Sequence, residues 1–493
     1  MVCVCSDGNT DRERSHVSGP WRALCWVLAA AGTCGGCALH AVDEAPEPVV
    51  AGGQAFSISA DGVEPEQRWW RAFDDEHLTA LVEQALCDNL DLRQARERIA
   101  QARALQRQAT ARLLPALNGG ASAERRWPDE GVSHTDSLAG TLSLSWEADL
   151  WGRLTSGRQA ADRQIAASRE DLQAMALLLS AEVAGAYVDL LEQRLQLALL
   201  ARQVEVGQTL LELIELRFGQ GQASVVDVYQ QRQLLASTRA QVPLIESRRR
   251  ILENRLKVLT ARSPVGDAPP AAEDLPALGP LPKLGVPSTL LVNRPDLRGI
   301  HHRLAAADYR VAEAVADRLP RLTIGLDRGY RGSDFRRLTP EGLFTSLMGD
   351  LAGPLIDWGE REAEVQRRQA VVREELLRLS RAYLTAVEEV ENALWQERRQ
   401  RELIDALEKE LAIAESNLKE TRTRYSQGLT DYLPVLAAVQ SLQALERALL
   451  TRRRELVSLR ILLYRALGGS QPWVPPEPGA AGTGPPVNGK GTS

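Results

Sequence analysis

Aromatic residues are scarce in this chain: Phe, Trp and Tyr together make up 5% of 493 residues, and methionine occurs three times. Histidine and cysteine number six each, and Cys3, Cys5, Cys25, Cys34 and Cys37 crowd into the first 37 residues, with Cys87 alone beyond them. That distribution excludes a disulfide framework. Cys34 and Cys37 have CxxC spacing but no second ligand pair and no βαβ surroundings, so zinc and redox readings fall away. The adjacent His301 and His302 would point about 100° apart on a helix, a poor arrangement for sharing a metal. GxSxG, Walker A, HExxH and dinucleotide fingerprints are all missing, so neither an enzyme nor a cofactor is expected. No sign of charge dominates either: 59 Lys and Arg face 65 Asp and Glu for a formal charge of −6, and a nucleic-acid partner is not expected.

What is present begins with an export pattern. Arg12, Arg14 and Arg22 precede the apolar run from Ala23 to Ala31, which small residues and cysteine follow. The run is too short to span a bilayer. The stretch GGCALHAVDEAPEPVV is similar to the cleavage region of bacterial lipoproteins, where the cysteine becomes the lipidated first residue of the mature chain. This implies lipid on Cys37; Cys34 is the alternative position, and a secretory signal without lipid is the other reading.

Beyond it the chain repeats itself. RFGQGQASVVDV, from Arg217, and RYSQGLTDYLPV, from Arg424, share the order Arg, aromatic, two residues, Gly. Arg217 and Arg424, Gly221 and Gly428, and Trp151 and Trp358 are all 207 apart, while Asp91 and Asp296, and Pro115 and Pro320, are 205 apart. The chain is an internal duplication whose offset grows by two within the region between those markers.

Each copy has the same predicted plan. Leu78, Leu81, Val82, Ala85 and Leu86 recur at helical spacing in a helical region that ends near Pro115. The period then becomes two: Leu138, Leu142, Leu144, Trp146 and Ala148 alternate with Ser137, Thr141, Ser143, Ser145 and Glu147. Leu322, Ile324 and Leu326 alternate likewise, and Leu343, Leu347, Leu351 and Leu355 share one parity. A two-sided strand in an exported protein suits a barrel with lipid outside and water inside. Long Ala, Leu, Gln, Glu and Arg-rich helices follow, turned back at Gly221 and Gly428. The boundaries read from this plan are a signal at 1–36, an extended segment at 37–77, a first repeat at 78–263, a linker at 264–287, a second repeat at 288–469 and a disordered tail at 470–493.

Four strands cannot close a barrel, and every strand edge in a membrane must be paired, so several chains must pool their strands. Three copies would supply twelve. Taken together, SWEADLWGR, the two tip motifs, WWRAFDD, NLDLRQARERIAQARA and the terminal YRALGG resemble the TolC-like outer-membrane efflux family, in its lipoprotein branch, from about Cys37 to Gly469. The resemblance implies an α+β membrane protein. Its long helical hairpins would form a periplasmic barrel, and its four strands would join a trimeric twelve-stranded outer-membrane β-barrel. The implied function is a passive exit duct for drugs or other small toxic compounds, lipid-anchored in the outer membrane. The implied partners are two further copies, a periplasmic adaptor, an inner-membrane pump of the resistance-nodulation-division class and outer-membrane lipid. A polypeptide-secretion exit is the alternative within the family, and a periplasmic coiled-coil tether is the alternative outside it.

The implied adaptor contact is the pair of tips, with Arg217, Gly221 and Ser224 on one and Arg424, Gly428, Leu429, Thr430 and Asp431 on the other. Glycine permits each turn, and each arginine is expected to bind the last carbonyls of its own helix. Leu433, five residues past Gly428, occupies the place of an apolar pore constriction in related channels, with ordinary helix packing as the alternative. Where such relatives often carry an aspartate, this chain has Ala437, so closure by packing and tip contacts is expected rather than by a ring of charge. Asp149, Trp151 and Gly152, and Asp357, Trp358 and Gly359, mark the two junctions between strand and long helix.

Overall fold

The computed structural model describes residues 39–43, 46–50, 53–59, 62, 68–127, 134–333 and 340–469. Cys37, the rest of the expected signal and the expected tail lie outside them. Two compact units emerge, and neither is a repeat. One holds residues 106–160 and 308–369 with the short stretch 39–42; the other holds 161–307 and 370–469 with the described part of 43–105.

The first unit is built on a four-stranded antiparallel sheet of β1 (Ala116–Arg126), β2 (Thr135–Ala148), β3 (Arg321–Gly332) and β4 (Leu343–Ala352), in that spatial order. Residues opposite each other across an antiparallel pair share a face. Leu117, Leu144, Leu326 and Leu347 therefore form one cross-strand row, next to Trp146 with Ile324 and to Ala148 with Leu322 and Leu351. Asn118, Ser143, Asp327 and Ser346 form a row on the other face, as do Glu147, Thr323 and Asp350. The period-two pattern has become a sheet with one apolar and one polar side. Leu355 was grouped with β4 by parity, but the strand stops at Ala352 and Leu355 stands 99% exposed.

The helical elements are α1 (Glu76–Asp88), α2 (Leu90–Ala111), α3 (Arg153–Gly219), α4 (Val225–Leu259), α5 (Pro295–Ala316), α6 (Glu360–Ser426) and α7 (Tyr432–Ala466). α3 and α6 have 67 residues each, and α4 and α7 have 35 each. At 1.5 Å per residue, the part of α3 in the second unit, 161–219, runs for about 90 Å. One window of α3 is apolar enough to cross a bilayer, yet half of it is buried inside the chain.

The single helical region expected before Pro115 is divided at Asn89. The buried Asn89 side chain accepts hydrogen bonds from the backbone N–H groups of Asp91 (2.8 Å) and Leu92 (3.2 Å), and its amide donates to the Leu259 carbonyl (2.9 Å). It starts α2 and fastens it to the end of α4.

Two cores in the second unit are themselves repeat copies. One gathers Trp69, Leu92, Tyr187, Leu256 and Tyr464; the other gathers Leu297, Tyr383, Val390 and Leu463. Leu297 and Leu463 are the repeat equivalents of Leu92 and Leu256. Trp69 stacks on Tyr464 at 5.5 Å and its indole donates to Ser180 Oγ (3.2 Å), so the WWRAF turn at Trp69–Phe73 anchors the first core.

The linker between repeats is tied down along its length. Lys257 Nζ donates to the carbonyls of Pro264 (3.1 Å) and Gly266 (2.8 Å), Arg194 to that of Pro269 (3.0 Å), and the Ala272 N–H to the Tyr187 hydroxyl (3.0 Å). Arg460, 2% exposed, donates to the Gly279 and Pro280 carbonyls and holds Glu397, itself 1% exposed, through two bonds of 2.9 and 2.7 Å. Removing one partner of such a buried pair typically costs about 3–5 kcal/mol.

Candidate functional site: the paired hairpin tips

Both hairpins close by the same backbone device. At the first tip the Gln222 N–H reaches back to the Arg217 carbonyl (2.8 Å) and the Gly221 N–H to that of Phe218 (2.9 Å). At the second, Leu429 bonds Arg424 (2.9 Å) and Gly428 bonds Tyr425 (3.0 Å). Gly221 and Gly428 have φ of 74° and 72°, and no atom lies within 4 Å of where a Cβ would sit. Glycine is required there by the left-handed backbone and not by crowding.

The returning helices start differently. Ser224 Oγ accepts from the Val226 N–H (3.2 Å) while Asp227 Oδ2 accepts from the Ser224 N–H (2.9 Å), a reciprocal cap on α4. Asp431 stands in the same position before α7 and makes no side-chain cap bond. Leu429 and Leu433 are 65% and 60% exposed beside it, Arg424 is exposed, and Thr430 is half-buried.

The expectation for Arg217 needs correction. Its guanidinium donates to the carbonyl of Tyr425 (3.1 Å), in the other tip, and lies 4.5 Å over the Tyr425 ring. Crossing to the other tip sets the guanidinium over the face of an aromatic ring as well as against a carbonyl. Behind this contact sits Tyr432, 1% exposed, whose hydroxyl donates to Gln231 Oε1 (2.5 Å) while Gln231 Nε2 donates to the Gly207 carbonyl (2.8 Å). Tyr425 and Tyr432 pack at 5.6 Å, in a core with Ile214, Val228 and Val435. Burial pushes both phenol pKa values up, so both rings stay neutral. None of Tyr425, Tyr432 and Gln231 was singled out from the sequence. The available signal was that Tyr425 and Tyr432 replace Phe218 and Val225 at equivalent repeat positions.

The outer membrane efflux protein family matches this chain over residues 81–262 and 286–469, the two copies of the plan just described. The chain belongs to that family. It is 33% identical over 435 residues to the pyoverdine export outer membrane protein OpmQ of Pseudomonas putida, covering 85% of this chain and 91% of that one. It is 28% identical over 450 residues to nodulation protein T of Rhizobium leguminosarum, covering 88% and 94%. Among solved structures, CusC matches with a TM-score of 0.82 at 26% identity, over 88% of this chain and all of that one. The outer-membrane channel OprN matches with a TM-score of 0.80 at 27% identity, over 88% and 99%. The resemblance drawn from the motifs is borne out at the level of family and fold.

In this efflux protein the two strand-to-helix junctions also diverge. Asp149 accepts from the N–H groups of Leu154 (2.9 Å) and Thr155 (2.7 Å) and so caps α3, while Trp151 donates its indole N–H to the Pro320 carbonyl (2.7 Å). Asp357 stands one residue before its tryptophan instead of two, and its carboxylate receives the Gly359 N–H (3.1 Å) in a local turn. Trp358 is 95% exposed. Gly152 and Gly359 have φ of 71° and 88°, the bend that glycine permits. Ala437 is exposed on α7, and Leu433 is exposed in the single chain instead of packed within it.

Proposed function

We propose that three copies of this outer-membrane efflux protein pool their sheets into one twelve-stranded barrel and set their hairpins side by side as a periplasmic duct. The observation that carries this reading is the four-stranded sheet with one apolar face, one polar face and edge strands β1 and β4. Such a sheet is stable in lipid only if both edges find strands. The duct is passive, and its periplasmic mouth is the pair of tips, where an adaptor docks and links it to an inner-membrane pump of the resistance-nodulation-division class. The exposed Leu429, Asp431 and Leu433, with the half-buried Thr430, form the docking side, and Leu433 narrows the pore. The repeats at 78–263 and 288–469, joined through 264–287, act as two near-equal staves of the duct, and lipid on Cys37 anchors its start. Relatives are named for pyoverdine export, toluene efflux and cation efflux, so cargo choice belongs to pump and adaptor.

The test is to size the detergent-purified mature protein by light scattering and record it in a planar bilayer. Trimers that insert and show small, flickering conductance support the duct with a closed resting mouth. An elongated soluble species that never inserts overturns it and leaves the coiled-coil tether.

A further inference from the structure

The apolar face of the sheet is not a uniform wall. Its cross-strand rows run Leu117, Leu144, Leu326 and Leu347, then Gly119, Leu142, Arg328 and Thr345, then Ala121, Gly140, Tyr330 and Leu343. The last two rows lie towards the strand ends opposite those that lead into α3 and α6. Side-chain bulk falls away in them. Two overlapping open hollows, of about 460 and 580 Å³, share Ala121, Gly140, Tyr330 and Leu343 as lining, and the larger also takes in Leu142 and Arg328. A Cβ at Gly140 would meet no atom within 4 Å, so the space over that residue is open.

Charge on this face is sparse. Arg125 and Asp136 neutralise each other near the outer end through hydrogen bonds of 2.6 and 2.7 Å. Arg328 is the other charged residue at the paired positions of the face, and it is exposed, with no ion-pair partner among the described residues. Tyr330 stands two residues further out on the same side, about 7 Å along the strand. An aromatic ring with a polar tip suits the boundary between hydrocarbon and headgroups. Arg328 therefore lies within a side chain's reach of the headgroup layer, where a charge on the lipid face is tolerated best.

We propose that this hollow binds an anionic, phosphate-bearing lipid of the outer leaflet, with an acyl chain seated over Gly140 and the phosphate held by Arg328. This rests on the barrel reading above, which turns the apolar face to lipid. A cation on that face meets no soluble partner, so its complement comes from the membrane. Guanidinium offers a fork of donors to phosphate oxygens, and no carboxylate of the sheet competes for it. The hollow beside it accepts the chain that a bare phosphate lacks.

Lipid retention tests the site. The mature protein is purified in detergent, sized, and given phosphatidylglycerol or phosphatidylcholine with the same acyl chains, and retained lipid is counted by native mass spectrometry. Phosphatidylglycerol is expected to be held about tenfold better, as one charge-assisted hydrogen-bonded contact implies. Arg328→Gln should abolish that preference and Arg328→Lys should keep most of it. Gly140→Leu fills the hollow and leaves the charge, so it should weaken retention of both lipids. Arg331→Gln removes a charge from the opposite face of the same strand and should change nothing. Equal retention of the two lipids, or equal losses at Arg328→Gln and Arg331→Gln, overturns the site. Displacement of the lipid by excess inorganic phosphate makes Arg328 a simple anion site and overturns the lipid assignment, and this decides the role of the hollow even if Gly140→Leu does not fold. A species that sizes as soluble and never enters lipid overturns the barrel reading itself, whereas an inserted trimer without lipid preference overturns this site alone.

Discussion

At the first tip Ser224 and Asp227 cap the returning helix reciprocally, and Arg217 reaches across to the other hairpin. At the second, an identical glycine turn is followed by Asp431 with no cap bond and by the exposed Leu429 and Leu433. Both turns descend from one duplicated sequence and keep its hydrogen-bond closure, so the backbone requirement has been retained while the side-chain chemistry has separated. The first tip caps its own returning helix and supplies the brace. Both tips keep apolar surface exposed, Phe218, Val225 and Val226 at the first and Leu429 and Leu433 at the second, but only the second leaves its helix start without a side-chain cap, a property expected of the side that meets another protein.

Breaking the shared support beneath both tips should have the largest effect. Tyr432→Ala removes a fully buried ring and the hydroxyl that fixes Gln231, and is expected to cost about 3–5 kcal/mol of local stability. Hydrogen exchange at the α6 and α7 ends should report that loss, with little change in the sheet. Arg217→Ala should come next, at about 1.5–3 kcal/mol for a charged hydrogen bond to the Tyr425 carbonyl. Arg424→Ala at the equivalent exposed position should change stability little, and loss of the brace should raise single-channel open probability for Arg217→Ala alone. The finest contrast is between the helix starts. Ser224→Ala should cost about 0.5–2 kcal/mol, whereas Asp431→Ala should leave thermal stability nearly unchanged. Equal losses at both would mean the tips do not differ as described.

Much of this architecture was legible because it is written periodically. The 207-residue offset shared by the junction tryptophans and the tip glycines foretold long helices of equal length, and period-two alternation foretold the two-faced sheet. The glycine turns followed from the breaks at Gly221 and Gly428. What escaped was whatever depends on contact between distant residues. Arg217 lies 208 positions from the Tyr425 carbonyl it binds, and a main-chain acceptor leaves no trace in residue type. Asn89 looked like one polar residue in a helical stretch, and its role appears only beside the Leu259 carbonyl. The junction aspartates looked alike, yet a shift of one position decides that Asp149 caps a helix while Asp357 folds back on its own turn.

The segment joining the repeats holds one more consequence. Lys257, Arg194 and Arg460 grip it through the carbonyls of Pro264, Gly266, Pro269, Gly279 and Pro280, and Tyr187 grips it through the Ala272 N–H. Every one of those linker groups is main chain: the carbonyls come with any amino acid, and the Ala272 N–H with any but proline. The grip is therefore blind to the identity of the residues it holds. Evolution is free to rewrite the exposed positions gripped this way, Pro264, Gly279 and Pro280, while the route stays fixed; tolerance should be low at the four side chains that hold the strap and at Leu275, Leu278 and Leu284, which pack against the cores.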